Sequence, residues 1–182
     1  MKKFFLSDQS WLVKLLALLV LFLIPSPAVS ALSITYQIPV SLATESAIEA
    51  VNLCQSKGYP VTATVVTKEG LKQVLIRGDG APPHTIENSF NKAYTVITLG
   101  PIQHVNSSKD IVKAMIPSPN PVGNWPLLAS PLPGITFSSG GVAIKVGNEI
   151  IGSLGVSGAP NGIIDEECAQ AGLTKISPGL TP

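Results

Sequence analysis

Few side chains in this sequence are equipped for chemistry, and they fall in three places. His84 and His104 bracket a stretch of apolar residues at helical spacing, too far apart in sequence to form a local metal pair. Each is read alone, as a surface residue near a helix end or as a ligand to iron, the role a proximal imidazole fills in haem proteins. His84 is the candidate metal ligand. Lys92 lies beside the apolar positions of the same stretch. Its charge either snorkels to solvent or sits at a buried edge, where it would pair with Asp165 or hold a ligand carboxylate. Asp79, Asp165 and Glu166 are the carboxylates that could serve as acid or base, although Asp165-Glu166-Glu167 equally suits a helix N-terminus. The turns Gly140-Gly141 and Ser157-Gly158-Ala159-Pro160 present backbone N–H groups able to receive an anion, while turn geometry alone asks for the same residues. There is no GxSxG, HExxH, CxxC, P-loop or strand-linked GxGxxG, so hydrolase and nucleotide-binding readings have no support.

The elements that must position these residues follow from periodicity. From Ser41, the expected N-cap, Ala47, Ala50, Val51 and Cys54 form a helical stripe that Gly58 can close. Val61 to Val66 and Val74 to Ile76 read as strands joined by the turn Lys68-Glu69-Gly70, an antiparallel hairpin. Ile86, Phe90, Ala93, Tyr94 and Ile97 then repeat at helical spacing until Gly100-Pro101, where the pattern is expected to end. A short amphipathic helix, Ser108 to Ile116, leads into a proline-rich loop reaching Pro133. Its Trp125 could cover an apolar ligand, and the loop is read equally as a lid or a poorly ordered connection. Ile135-Thr136-Phe137, Val142 to Val146 and Glu149 to Ser157 read as a three-stranded meander, the last strand so rich in glycine that another backbone or a ligand must approach it closely. Asp165 to Leu173 reads as the closing helix. The order gives an α/β protein of the α+β kind, five antiparallel strands packed with helices and no βαβ alternation.

The amino terminus has its own pattern. Lys2 and Lys3 precede an uninterrupted apolar run from Leu15 to Ile24, ten residues long and too short for a comfortable membrane span. Small residues at Ala28-Val29-Ser30-Ala31 offer a cleavage site after Ser30 or Ala31. The expected organisation is a signal peptide at 1–30, a linker at 31–40, a domain at 41–173 and a flexible tail at 174–182. The mature protein would be periplasmic or secreted, with no stable membrane anchor. Removing residues 1–30 takes Lys2, Lys3 and Lys14 from twelve basic residues and Asp8 from eleven acidic ones, leaving nine against ten. A nearly neutral domain with one Arg and no basic cluster disfavours nucleic acid and anionic membrane surfaces as partners.

Cys54 and Cys168 each fall on an apolar-patterned helix. A buried thiol is the preferred reading and a bridge the alternative, because sequence cannot fix a Cα separation. The domain is long enough to bury a core without a staple.

Several blocks carry a family resemblance: Lys57 to Val61, Arg77 to Ala81, Lys92 to Thr95, Ser139 to Val142, and above all Ile151 to Ala159 together with Asp165 to Ala169. They resemble the GlcG/HbpS family of haem-binding-type proteins, from about Ser41 to Leu173. The resemblance implies a profilin-like or roadblock-like fold, assembly into homo-oligomers, and haem as the cofactor. Its members include an extracellular haem-binding protein that works with a two-component sensor, a protein of glycolate-utilisation operons, and the C-terminal domain of PduO-type corrinoid adenosyltransferases. Where the first strand of the family usually ends Val-Val-Asp, this chain has Val65-Val66-Thr67. Neither histidine falls in a block that aligns with a known ligand.

Three functions remain in view. The first is an exported small-ligand binding protein, with haem for uptake, storage or sensing held by a set comprising His84, Lys92, Tyr94, Gly140, Gly141 and Asp165. The second is an enzyme acting on a small hydroxy acid such as glycolate, with Asp165 or Asp79 as acid/base and Lys92 clamping the carboxylate. The third is an oligomeric accessory to a membrane sensor protein.

Overall fold

The computed structural model describes residues 35–115 and 132–181. The expected signal peptide, cleavage site and Trp125 loop lie outside the described residues. The elements run α1 (Val40–Ser56), β1 (Thr62–Thr67), β2 (Lys72–Arg77), α2 (His84–Gln103), α3 (Ser108–Met115), β3 (Gly141–Val146), β4 (Glu149–Ser157) and α4 (Gly162–Ile176), closed by a 3-10 turn at Ser177–Gly179. Among the described residues no helix is long and apolar enough to cross a membrane.

Four strands form one antiparallel sheet in the order β2-β1-β4-β3. The strands are legible from their alternation. In β1, Ala63 and Val65 face α1 and α4, while Thr62 and Thr64 meet α2 on the other side. In β3, Val142, Ile144 and Val146 face the first pair of helices and Ala143 faces α2 and α3. The main core therefore lies between the sheet and the α1–α4 layer, and a smaller cluster of Val96, Ile111 and Ala143 lies under α3.

The expected fifth strand does not form. The Thr136 N–H donates to Thr95 Oγ1 at 2.8 Å instead of to a strand. The free edge of β3 is covered by Asn106 and Ser107, with the Ala143 N–H donating to the Asn106 carbonyl at 2.8 Å and Ser107 bridging to Val142. A short run of β-propensity loses its place when another segment already satisfies the edge.

The helix ends also shift. α1 begins at Val40 with Pro39 in the cap position, so Ser41 lies inside the first turn and caps nothing. α2 does not stop at Gly100-Pro101 but runs on to Gln103, where His104 takes the left-handed conformation (φ 55°) and closes the helix. α4 starts earlier than Asp165 because Asn161 accepts hydrogen bonds from the Ile163 and Ile164 amides. The helix then runs on past Leu173. The expected tail is ordered through this stretch: Ile176 is buried and Leu180 packs on the core.

The preferred reading of the cysteines is overturned. Cys54 of α1 and Cys168 of α4 are joined by a disulfide, with a Cα–Cα separation of 5.7 Å. The two helices pack side by side on one face of the sheet, which brings residues 114 apart in sequence within bridging distance.

Candidate functional site

α2 is the element on which the candidate residues converge, and its face toward the sheet is built from small and polar groups. Thr85 shares a hydrogen bond with Thr62 and Ser89 with Thr64, each at 2.7 Å. Ser153 Oγ donates to the Ala93 carbonyl at 2.7 Å, and Asn88 Nδ2 donates to Ser157 Oγ at 2.8 Å. This contact requires close approach. A Cβ on Gly155 would overlap the Ser89 carbonyl oxygen, and one on Gly141 would press on the Lys92 carbonyl. Gly155 of β4 and Gly141 of β3 therefore answer to the backbone of α2, while Gly152 of β4 faces Ile38 and the Val66 carbonyl.

At the end of this contact, Lys92 of α2 reaches past the sheet to Asp165 in the first turn of α4. Lys92 Nζ donates to Asp165 Oδ2 at 2.6 Å, with side-chain exposures of 2% and 3%. Asp165 Oδ1 accepts the Ala159 N–H at 3.0 Å. Burial pushes the Lys92 ammonium below its ordinary range, opposed by the charge of and hydrogen bond to Asp165. Burial likewise raises the Asp165 carboxyl, opposed by Lys92 and by the Ala159 and Gly158 amides. Gly140, at φ 123°, lies directly on the pair: a Cβ there would be 2.8 Å from Asp165 Cβ and 2.9 Å from Lys92 Nζ.

Lys92, Gly140, Gly141 and Asp165 do come together, but the anion that the lysine and the turn amides hold is the chain's own Asp165. Both carboxylate oxygens are engaged and the ammonium is buried. Neither group is presented to a hydroxy-acid substrate or to a haem propionate. A second pair lies beside it, Lys109 of α3 to Glu166 Oε1 at 3.0 Å, which raises the Lys109 ammonium through its hydrogen bond and charge. Glu166 Oε2 is buried without a hydrogen-bond partner. Lys109 carries no sequence signal, since its partner is 57 positions away on another helix.

His84 and Tyr94 fall elsewhere. His84 is exposed at the first position of α2, about 12 Å along the helix axis from Lys92. His104 is exposed at the opposite end, and Asp79 is exposed in the turn after β2. Tyr94 is half-buried, its ring between Gly70 of the β1–β2 turn and Gly134, where Cβ atoms would come within 2.7 and 2.9 Å of it. Phe90 stacks obliquely on it at 5.4 Å between centroids, and Lys72 Nζ sits 4.4 Å from the centre of the Phe90 ring. Among the described residues no group of three His, Cys, Asp or Glu side chains could hold a metal ion. The Lys92–Asp165 pair offers a haem no unpaired group, whereas His84 is an exposed imidazole at the start of α2.

An antiparallel α+β domain with helices on both faces and a buried, self-satisfied ion pair at the end of its sheet defines the class. The chain belongs to the HbpS-like family, described as haem-degrading proteins, which it matches over residues 38–174. Among solved structures it is similar to HbpS, at 27% identity over 82% of this chain and 96% of that one with a TM-score of 0.67. It is also similar to ORFY of Klebsiella pneumoniae, at 23% identity over 84% and 98% with a TM-score of 0.68. PduOC, solved as a complex with haem, shares the fold at 18% identity over 78% and 96% with a TM-score of 0.55. No curated relative matches the chain in sequence.

Proposed function

We propose that the protein is exported and binds haem outside the cytoplasm, for uptake, storage or sensing. The observation that carries this reading is membership, over residues 38–174, of a family described as haem-degrading HbpS-like proteins; a protein solved with haem bound shares the fold. The buried disulfide supports export, because such bridges persist in oxidising compartments and are rare in reducing ones. His84 is the proposed iron ligand: it is the exposed imidazole at the start of the helix that also carries Phe90 and Tyr94. Bound iron–porphyrin would supply redox and ligand-binding chemistry; the chain would supply an imidazole nitrogen from His84 and apolar surface. Lys92 and Asp165 have no part in this contact.

The test is a titration of residues 31–182 with haemin. A saturable Soret shift reaching its end point at stoichiometric protein is expected, and the His84→Ala variant should move the Soret maximum and weaken binding at least tenfold. A spectrum that stays that of free haemin at stoichiometric protein overturns the reading.

A further inference from the structure

Small side chains meet where α1 and α4 cross, with Leu42, Val51 and Leu53 of α1 and Ile164, Leu173 and Ile176 of α4 packed into the same core. α1 turns Ala43, Ser46, Ala47 and Ala50 inward, and α4 answers with Ala169 and Gly172. The approach is close enough that a Cβ on Gly172 would overlap the Ser46 carbonyl oxygen. Side chains of this size remove little area from water. The core beneath them is built of Ala, Val, Ile, Leu and Cys, with no fully buried aromatic side chain among the described residues, while Tyr36 and Tyr59 pack half-buried at its margin. The opposite face of the sheet carries the Thr62–Thr85 and Thr64–Ser89 hydroxyl pairs, which contribute little net stability once desolvation is counted, beside the small Val96, Ile111 and Ala143 cluster. Into the α1–α4 layer the chain places one covalent link, Cys54–Cys168, both residues fully buried and closing a loop of 114 residues.

We propose that the Cys54–Cys168 bridge gates folding: the reduced chain does not hold the α1–α4 layer, and the domain reaches its stable form only on oxidation. Closure is thiol–disulfide exchange with a protein disulfide oxidoreductase or oxidised glutathione. One S–S bond of the oxidant breaks, one forms between Cys54 and Cys168, and the oxidant leaves as two thiols carrying the two electrons and two protons. The gate works in one direction, since both sulfurs are sealed from solvent once the helices pack and a small reductant must wait for unfolding. A loosely folded reduced chain is also one that a translocation channel can thread. The gate does not depend on what the domain binds.

The test uses residues 31–182 with both cysteines intact, refolded with oxidised glutathione or with a phosphine reductant, so that sulfur volume is the same in both samples. Mass loss of two hydrogens and a cooperative urea transition are expected for the oxidised sample. The reduced sample should show an unfolding equilibrium constant raised on the order of a thousandfold, or no cooperative transition at all. The Cys54→Ala/Cys168→Ala variant should behave as the reduced chain under both conditions. In native buffer the oxidised protein should resist dithiothreitol and take up two alkyl groups only when urea is added. Equal urea midpoints for oxidised and reduced chains, absence of the bridge by mass, or reduction within minutes in native buffer would each overturn the proposal.

Discussion

Lys92 and Asp165 show how far a single residue's type can be read and where the reading stops. Their pairing was one of three roles the sequence allowed for Lys92, since a lysine beside an apolar stripe and an acidic first turn are both visible in one dimension. What could not be read is that Gly140 closes over the pair and that the Ala159 amide takes the second carboxylate oxygen. Those contacts make the pair an internal strut between α2 and α4. A buried charge left without its partner is expensive, whereas an ion pair replaced as a whole by apolar groups of similar volume is close to neutral. Lys92→Met should therefore destabilise the domain by about 3–5 kcal/mol, with Asp165→Leu similar. The double variant should recover most of that loss, and urea denaturation of the four proteins measures the cycle. If the double variant is as unstable as the sum of the singles, the pair is not acting as a unit.

At the scale of elements, the helical stripe of α1, the β1–β2 and β3–β4 hairpins and the glycine-rich β4 were all legible, because each is written in a local period of two or 3.6. The glycines of β4 were read as a place for a backbone or a ligand; for Gly155 that backbone is α2, whereas Gly152 meets Ile38 and the Val66 carbonyl. Gly155→Ala would push its methyl into the Ser89 carbonyl and Ala93 amide, backbone atoms that cannot move aside. A loss of about 1–3 kcal/mol, or more, is expected in urea midpoint measurements, against a negligible change for Gly147→Asn in the open β3–β4 turn. The two misread elements have separate causes. Ile135–Phe137 has strand-like residues but no free edge to pair with, and the end of α2 lies beyond Pro101 because a proline in the last turn forfeits few hydrogen bonds.

For the molecule as a whole, the export pattern at residues 1–30 and the disulfide at the centre of the domain point the same way, although they come from opposite ends of the argument. The first is a pattern of charge, apolar length and small residues; the second is a covalent bond that persists in an oxidising compartment. Expressed from residue 1 in an exporting bacterial host, the recovered protein should begin at Ala31 or Leu32, as read by intact-mass measurement. A mass that retains the first thirty residues, with the protein in the membrane fraction, would refute cleavage and with it the proposed soluble exported form.

By itself the sequence determined whatever depends on neighbours along the chain: the helices, four of the strands, the class of fold and the family, since these follow from local periodicity and from blocks of contiguous residues. The tertiary structure alone decided whatever depends on residues far apart coming close. Cys54 and Cys168 are joined across 114 positions, Asp165 and not a ligand fills the lysine and amide cradle, and Asn106 and Ser107 hold the edge that a fifth strand would need. Each is a competition among distant groups for one location, and its outcome rests on packing distances that no local pattern encodes.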